Sequence, residues 1–182
     1  MRKTDYKNLD NMFINRWSPR AFLEDPIADE DIKTIFEAAR WSMSCFNEQP
    51  WHFVIITERE LLNGIAMIHP YAQMLRHAPS AILVCGDPSL EKHIGYWVQD
   101  CAAATENILL EIADQGYGGV WVGVYPREER VREIGTMLSI PHNIIPFALV
   151  AVGHPAEKKP PKDVFLEERI RYNDWEMEVG QS

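Results

Sequence analysis

Three short polar segments hold the residues of this sequence that are best suited to bind a ligand. The first is Asn15-Arg16-Trp17-Ser18-Pro19-Arg20, which places two guanidinium groups and a hydroxyl within five residues. Alternate residues of an extended chain point the same way, so Arg16, Ser18 and Arg20 can converge on one anion. Guanidinium groups form bidentate, charge-assisted hydrogen bonds to phosphate. The segment therefore indicates a phosphate site, with a solvated basic loop as the alternative.

The second segment, Ser44-Cys45-Phe46-Asn47-Glu48-Gln49-Pro50, is a polar loop in front of the apolar run Trp51-His52-Phe53-Val54-Ile55-Ile56. Pro50 favours an extended backbone where the loop meets this predicted strand. The amides of Asn47 and Gln49 can donate and accept hydrogen bonds, which suits a flat heterocycle with carbonyls and ring nitrogens. The alternative is that the two amides only close the turn. Cys45 can touch a ligand there, but no histidine lies near it in the sequence to activate a nucleophilic thiol.

The third segment is the glycine cluster Gly116-Tyr117-Gly118-Gly119-Val120-Trp121-Val122-Gly123. It follows a predicted helix rather than a strand, which is the wrong context for a dinucleotide-binding fingerprint. A glycine at position 123 still allows peptide N–H groups to come close to a ligand ring, where a larger residue would stand off. The alternative is a tight turn from helix to strand.

Side-chain constellations typical of hydrolases, phosphate-loop proteins and metalloenzymes are missing from the sequence. It has no Gly-x-x-x-x-Gly-Lys loop, no His-Glu-x-x-His and no Gly-x-Ser-x-Gly. Its six histidines show no ligand spacing, so no metal site is expected. The three cysteines are odd in number and lack Cys-x-x-Cys spacing, which argues against disulfides and zinc and predicts that Cys85 and Cys101 are buried thiols.

Hydrophobic periodicity predicts helices and strands in mixed order around the three segments. An amphipathic helix beginning near Asp29, with Asp29 as its N-cap, leads toward the second segment. Apolar runs predict strands at 51–57, 81–85, 120–124 and 147–152, and the strand at 51–57 is expected to be buried on both faces. Helical patterns cover 58–68, 70–77, 93–115 and 127–138, and the helix at 93–115 is expected to be buried nearly all round.

Composition fits one globular unit. The chain has 182 residues, of which 46% are apolar and 25% are charged. A formal charge of -9 without a basic and aromatic cluster disfavours a nucleic acid or an anionic membrane as partner. No apolar run is long enough for a signal peptide or a membrane span, so we expect a cytoplasmic protein.

The composition changes near residue 154, and residues 155–182 form a charged, proline-containing tail. This tail also has large apolar residues, namely Val164, Phe165, Ile170 and Trp175. Such a segment gains little by packing on itself. We therefore expect a domain over 1–154 and an arm over 155–182 that lies along another surface, such as that of a second copy of the chain.

Taken together, the segments resemble the nitroreductase family of FMN-dependent oxidoreductases. The resemblance rests on Arg16-x-Ser18-x-Arg20, on Ser44-x-x-Asn47-x-Gln49-Pro50-Trp51, and on a long alanine-rich helix that leads into the glycine cluster. It also includes Val152-Gly153-His154-Pro155 before the charged arm. The order and spacing match over nearly the whole chain. The resemblance implies a homodimer of α+β subunits, each a mixed sheet flanked by helices, with a C-terminal arm wrapping the partner and two FMN sites at the interface.

The resemblance also implies roles for the residues of the first segment and the arm. Arg16 would bind the flavin phosphate, Ser18 would support the phosphate end, and Arg20 would lie near flavin N1 and O2. Relatives with this type of tail often have an arginine near Val164 that helps to hold the phosphate. Valine cannot do so, and Lys162 is the predicted substitute.

The loop and the glycine cluster complete the site that the resemblance implies. Ser44 and Asn47 would reach the flavin from the partner subunit, and the backbone at Val122 and Gly123 would approach the N5 edge of the ring. The remaining predicted cofactor-binding residues are Trp17, Cys45 and Gln49.

The activity implied is transfer of a hydride from NADH or NADPH through flavin N5 to a small acceptor, such as a nitroaromatic, a quinone or another flavin. No side chain needs to act as a catalytic acid or base, because the cofactor supplies the chemistry. Two alternatives stay open. One is a noncatalytic protein that binds or stores flavin, and the other is a flavoenzyme of the same fold that dehalogenates a substrate or fragments flavin.

Overall fold

A computed structural model describes residues 12–160 and 169–175 of the chain. Among these residues lie five α-helices and four β-strands. The helices are α1 (Met12–Asn15), α2 (Asp29–Arg40), α3 (Arg59–Ile68), α4 (Trp97–Asp114) and α5 (Glu128–Met137). The strands are β1 (Trp51–Ile56), β2 (Ser80–Gly86), β3 (Gly118–Gly123) and β4 (Ile145–Gly153). The predicted α+β class is confirmed.

The four strands form one sheet in the order β1-β2-β4-β3, and every neighbouring pair is antiparallel. Leu83 of β2 pairs with Val54 on one side and with Leu149 of β4 on the other. Every residue of β2 is buried, as its continuous apolar run predicts. β3 and β1 are the two outer strands, so each has an edge without a sheet partner among the described residues.

Helices cover both faces of the sheet. Alternate residues of β2 point to opposite faces, so Leu83 packs with α3 and α5 while Ile82 packs with α2 and α4. The expectation that β1 is buried on both faces is wrong, because this outer strand is only partly covered. Of its residues only Ile56 is buried, and Ile55 is 37% exposed.

Two helix starts differ from the sequence prediction. α4 begins at Trp97 rather than at 93, because the Glu91 carboxylate accepts hydrogen bonds from the N–H groups of Gly95, Tyr96 and Trp97 and so caps the helix. Asp29 is the first residue of α2 and not its N-cap. The N-cap is Ala28, whose extended backbone places its carbonyl to accept from Asp31.

The segment after α1 is held against the first residues of β3 and the last of β4. Leu23 donates a hydrogen bond to the His154 carbonyl, and Phe22 pairs with Pro155 as an isolated bridge. Phe22 is buried over Gly118 and Gly153, where a Cβ on Gly153 would lie 3.1 Å from the Phe22 ring. These contacts bring Arg20, two residues before Phe22, to the β3 side of the sheet.

Among the described residues, no helix has both the length and the apolar character needed to cross a bilayer. Within the predicted arm, the structure describes residues 155–160 and 169–175. Trp175 is 84% exposed there. The division into a domain and an arm, and the wrapping of a partner, stay predictions.

Candidate functional site

The candidate site is a cleft of about 570 Å³ beside the end of β3. Its wall is the backbone of β3, and its other residues come from the segment after α1, from the segment after α3 and from α5. The polar and aromatic side chains in its lining are Arg20, His69, Tyr71, Gln73, His77, Trp121 and Arg130. Of the predicted site residues, the cleft contains Arg20, Val122 and Gly123.

Gly123 presents its backbone to this cleft. Its carbonyl accepts hydrogen bonds from His69 Nε2 at 2.9 Å and from the Arg130 guanidinium at 3.2 Å, so it points away from β4. In an antiparallel pair, the N–H and C=O of one residue point to the same edge of the strand. The Gly123 N–H therefore points to the outer edge of β3, as an N–H aimed at a ligand must.

The space in front of Gly123 is open. A Cβ atom built on Gly123 would meet no heavy atom within 4 Å, and the residue lies in a strand without a positive φ. Neither the backbone conformation nor packing within the described chain therefore requires glycine at this position. The space that a side chain at position 123 would occupy is open to a ligand or to a second copy of the chain.

His69 is the buried residue behind this part of the cleft, and its side chain is fixed on both sides of the ring. Its Nδ1 accepts a hydrogen bond from the Tyr71 N–H at 3.2 Å, while Nε2 faces the Gly123 carbonyl. A carbonyl can only accept and an N–H can only donate, so the imidazole is neutral with its proton on Nε2. Burial lowers the pKa of His69, and the nearby Arg130 cation lowers it further.

The arginines of the first segment point to different places. Arg20 is exposed and lines the cleft, whereas Arg16 Nε lies 3.8 Å from the Glu106 carboxylate on α4. Trp17 lies under the Lys159 ammonium, which is 5.3 Å from its ring centre. Ser18 is half-buried and does not line the cleft. Convergence of Arg16, Ser18 and Arg20 on one anion stays a prediction.

The loop of the second segment is closed by backbone groups and by one hydroxyl. Ser44 Oγ accepts from the Gln49 N–H at 3.0 Å, and the Asn47 N–H donates to the Ser44 carbonyl at 3.0 Å. Within residues 12–160 and 169–175, the side-chain amides of Asn47 and Gln49 make no hydrogen bond. Both amide side chains are therefore available to a ligand, since they do not close the turn.

The backbone of this loop is strained. Phe46, Asn47 and Gln49 all have positive φ, between 47° and 59°, which is uncommon for residues other than glycine. The structure around the loop keeps it in place: the Cys45 N–H donates to Asp100 at 3.0 Å, and the Phe46 ring stacks on His93 with centres 3.8 Å apart. Strain of this kind persists where the surroundings impose it, and it is concentrated at functional sites.

Large apolar side chains beside this loop are exposed. Trp41, Met43, Phe46 and Ile94 are each between 76% and 89% exposed. None of the loop residues Ser44, Cys45, Asn47 and Gln49 lines the Gly123 cleft of the same chain. The structure thus places these loop residues away from the cleft that Arg20, Val122 and Gly123 line on the same subunit.

Asp100 anchors the strained loop from α4. One of its carboxylate oxygens accepts from Cys45, and the other is buried without a hydrogen-bond partner among the described residues. Burial raises the pKa of Asp100, and the carboxylates of Glu91 and Glu48 add to the rise. Burial and the same acidic groups raise the pKa of Cys45, which disfavours the thiolate.

Cys85 and Cys101 are buried free thiols, as predicted, and burial raises the pKa of Cys85 to about 12. Three or more metal-ligating side chains do not come together anywhere in the described parts of the chain. Lys162, the predicted substitute for an arginine at position 164, lies outside the described residues, as does Val164 itself.

Sequence reasoning missed the cleft residues His69, Tyr71, Gln73 and Arg130. His69-Pro70 follows a helical pattern and indicates only where a helix ends, so the sequence gives no reason to expect a ligand at His69. His69 contacts Gly123, which lies 54 residues later in the sequence. Local spacing cannot reveal such a pair.

Comparison with known proteins shows similarity over most of the chain. The model of the nitroreductase family matches residues 14–69 and 66–154. A protein of Archaeoglobus fulgidus, provisionally named NADH dehydrogenase/NAD(P)H nitroreductase, is 45% identical over 168 residues, which are 90% of this chain and 97% of that protein. A protein of the same name from Methanothermobacter thermautotrophicus is 44% identical over 160 residues, 88% of this chain and 84% of its own length.

A solved structure is also similar. It is that of a protein provisionally named NADH oxidase from Clostridium acetobutylicum, which is 36% identical in sequence and superposes with a TM-score of 0.87. The match covers 91% of this chain and all of that one.

Proposed function

The chain belongs to the nitroreductase family, and on this basis we propose that it is an NAD(P)H-dependent oxidoreductase that binds FMN in the Gly123 cleft. The acceptor we propose is a small planar molecule such as a nitroaromatic or a quinone. When bound, FMN supplies the transfer of hydride equivalents between the nicotinamide and the acceptor.

The open space in front of Gly123 is the observation that supports this proposal most directly. Neither packing nor backbone conformation requires glycine at position 123, and the Gly123 N–H points to the outer edge of β3. The lining combines apolar residues such as Val122 and Met74 with guanidinium donors from Arg20 and Arg130. A planar heterocycle with several acceptor atoms fits such a set, because its ring packs on apolar surface while its edge accepts hydrogen bonds.

We assign the flavin phosphate to Arg16. Its contact with Glu106 is long, at 3.8 Å, and both side chains are partly exposed. An exposed ion pair of this kind contributes little, so a phosphate can replace Glu106 as the partner. Ser18 would support the phosphate end, and Arg20 would place a positive charge at the ring, where reduced flavin is negative.

We propose that the complete site is shared by two subunits. Ser44 and Asn47 do not line the cleft of their own chain, yet their loop is strained and next to an exposed apolar patch. A homodimer would cover this patch and bring Asn47 of the partner subunit to the flavin. Burying the patch also accounts for the exposure of Trp41 and Met43 in a single chain.

An anaerobic titration tests the activity. The purified protein should be yellow, and NADH or NADPH should bleach it without oxygen. Running both nicotinamides in parallel also gives the preference between them. A yellow protein that only dithionite bleaches would contradict an NAD(P)H-dependent activity and favour flavin storage.

A mixed dimer tests the shared site. Pairing an Arg16→Ala chain with an Asn47→Ala chain puts both lesions in one site and none in the other, if the two residues come from different subunits. About half of the flavin should then bind with wild-type affinity, as follows from two-fold symmetry. If both residues serve the same subunit's site, each site has one lesion and no tight-binding fraction appears.

A further inference from the structure

A buried histidine supports the backbone at the edge of the cleft. His69 is 1% exposed and follows the last residue of α3, where its own N–H donates to the Ile65 carbonyl at 2.9 Å. Its carbonyl accepts from the Ala72 N–H at 3.0 Å. Two backbone hydrogen bonds thus fix the position of His69 independently of its side chain.

The imidazole links two backbone groups, the Gly123 carbonyl and the Tyr71 N–H. Gly123 ends an outer strand, and the peptide group that contains its carbonyl is held on the sheet side by one long hydrogen bond, from the Val124 N–H to the Phe147 carbonyl at 3.2 Å. The Phe147 carbonyl also accepts from the Tyr125 N–H, at 2.9 Å. The neutral ring of His69 donates to the Gly123 carbonyl and accepts from the Tyr71 N–H. One ring therefore sets the position of the cleft wall relative to Tyr71 on its rim.

Arg130 is the second donor to the same carbonyl, but it is less constrained. Its guanidinium lies 3.2 Å from the Gly123 carbonyl and 5.7 Å from the centre of the Tyr71 ring. Tyr71 is 72% exposed, so this cation and ring lie in solvent at the cleft mouth. The buried His69 contact, at 2.9 Å, is the shorter and better protected of the two.

We propose, building on the function proposed above, that His69 is a positioning residue for the flavin. Its Nε2–H holds the Gly123 carbonyl outward from the sheet and so fixes the Gly123–Val124 peptide group. This contact restrains the ψ angle of Gly123, and through that angle it keeps the Gly123 N–H, which belongs to the preceding peptide group, aimed at the flavin ring. His69 does not touch the cofactor itself. The protonated form of the ring would lose the Tyr71 contact, because Nδ1 would then face an N–H as a second donor.

Two substitutions separate the two hydrogen bonds of the ring. The amide nitrogen of glutamine in His69→Gln can occupy the place of Nε2 and donate to the Gly123 carbonyl. The shorter asparagine in His69→Asn reaches only the place of Nδ1, where its oxygen can accept from the Tyr71 N–H. Both variants remove the imidazole from the core, so each is the control for the packing loss in the other.

The measurements are the dissociation constant for FMN, the visible absorption spectrum of bound flavin, and the melting temperature of the apoprotein. We expect His69→Asn to weaken FMN binding by about tenfold, the upper range for one hydrogen bond, and to shift the flavin band. His69→Gln should keep the wild-type spectrum and bind within about twofold of wild type. Both variants should lower the apoprotein melting temperature, since both remove the imidazole from the core.

A purely structural role for His69 predicts a different outcome: both variants melt earlier, but bind FMN equally and with an unshifted spectrum. That result would overturn the inference. If His69→Asn does not fold, the Nε2–H of wild-type His69, identified by its loss in His69→Gln, can be followed by NMR as FMN is added. An unmoved resonance at saturating FMN overturns the inference, whereas wild-type protein without FMN affinity overturns the proposed function as well.

Discussion

Replacing Gly123 with alanine should separate folding from flavin binding. The added methyl group meets no atom of the described chain within 4 Å, and the strand backbone at this position suits alanine. Such a replacement commonly stabilises a protein by about 0.4–1 kcal/mol, because the unfolded chain loses freedom. For a chain of this size the melting temperature of the apoprotein should rise by roughly 1–4 °C.

The same methyl group should weaken FMN binding. If the flavin ring occupies the space in front of Gly123, a methyl there causes overpacking at a cost of about 1–3 kcal/mol. That corresponds to a loss of affinity of roughly fivefold to 150-fold. Calorimetric unfolding of the apoprotein and titration with FMN measure the two effects on the same sample.

Gly119→Ala is the matched control from the same strand and the same face. Its Cβ would lie 2.9 Å from Leu109 and 3.1 Å from Ile112 on α4, so this glycine is required by packing. Gly119→Ala should destabilise the apoprotein by about 1–3 kcal/mol. Wild-type FMN affinity in a stabilised Gly123→Ala protein would show that the flavin does not approach β3, and the proposed cleft would be wrong.

Three further variants test other parts of the site. Arg16→Ala should weaken FMN binding by about tenfold to a hundredfold, since a charge-assisted contact to phosphate contributes about 1.5–3 kcal/mol. Lys33→Ala, which removes an exposed cation paired with Glu30, should leave FMN binding unchanged. Arg20→Gln should lower the midpoint potential of bound flavin in spectroelectrochemistry, and an unchanged potential would place Arg20 away from the ring. The raised pKa of Asp100 means that the folded wild type favours the protonated carboxyl, so the wild type loses stability as pH rises above about 4. Asparagine has no such proton, and Asp100→Asn should therefore gain stability relative to wild type over the same range. A difference in melting temperature that is the same at every pH would contradict this prediction.

Local chemistry was enough to predict most elements of the fold. The apolar runs of β2 and β4 are buried strands, because a strand that is apolar at successive positions must bury both of its faces. The glycine cluster does enter a strand after a helix, as its position after an alanine-rich pattern predicts. Burial of β1 could not be read from its residues, because an apolar strand at the sheet edge has the same composition as a central one.

The sequence by itself predicted Arg20 and Gly123 as binding residues, because the charge of a guanidinium and the exposed backbone of a glycine do not depend on the neighbouring residues. Only the tertiary structure decided that both line one cleft, and that Asn47 lies elsewhere on the subunit. It also decided that His69 supports Gly123 and that Asp100 holds Cys45. The periodicity of apolar residues indicates whether a side chain is buried. The order of the strands in the sheet determines which distant group its polar atoms contact.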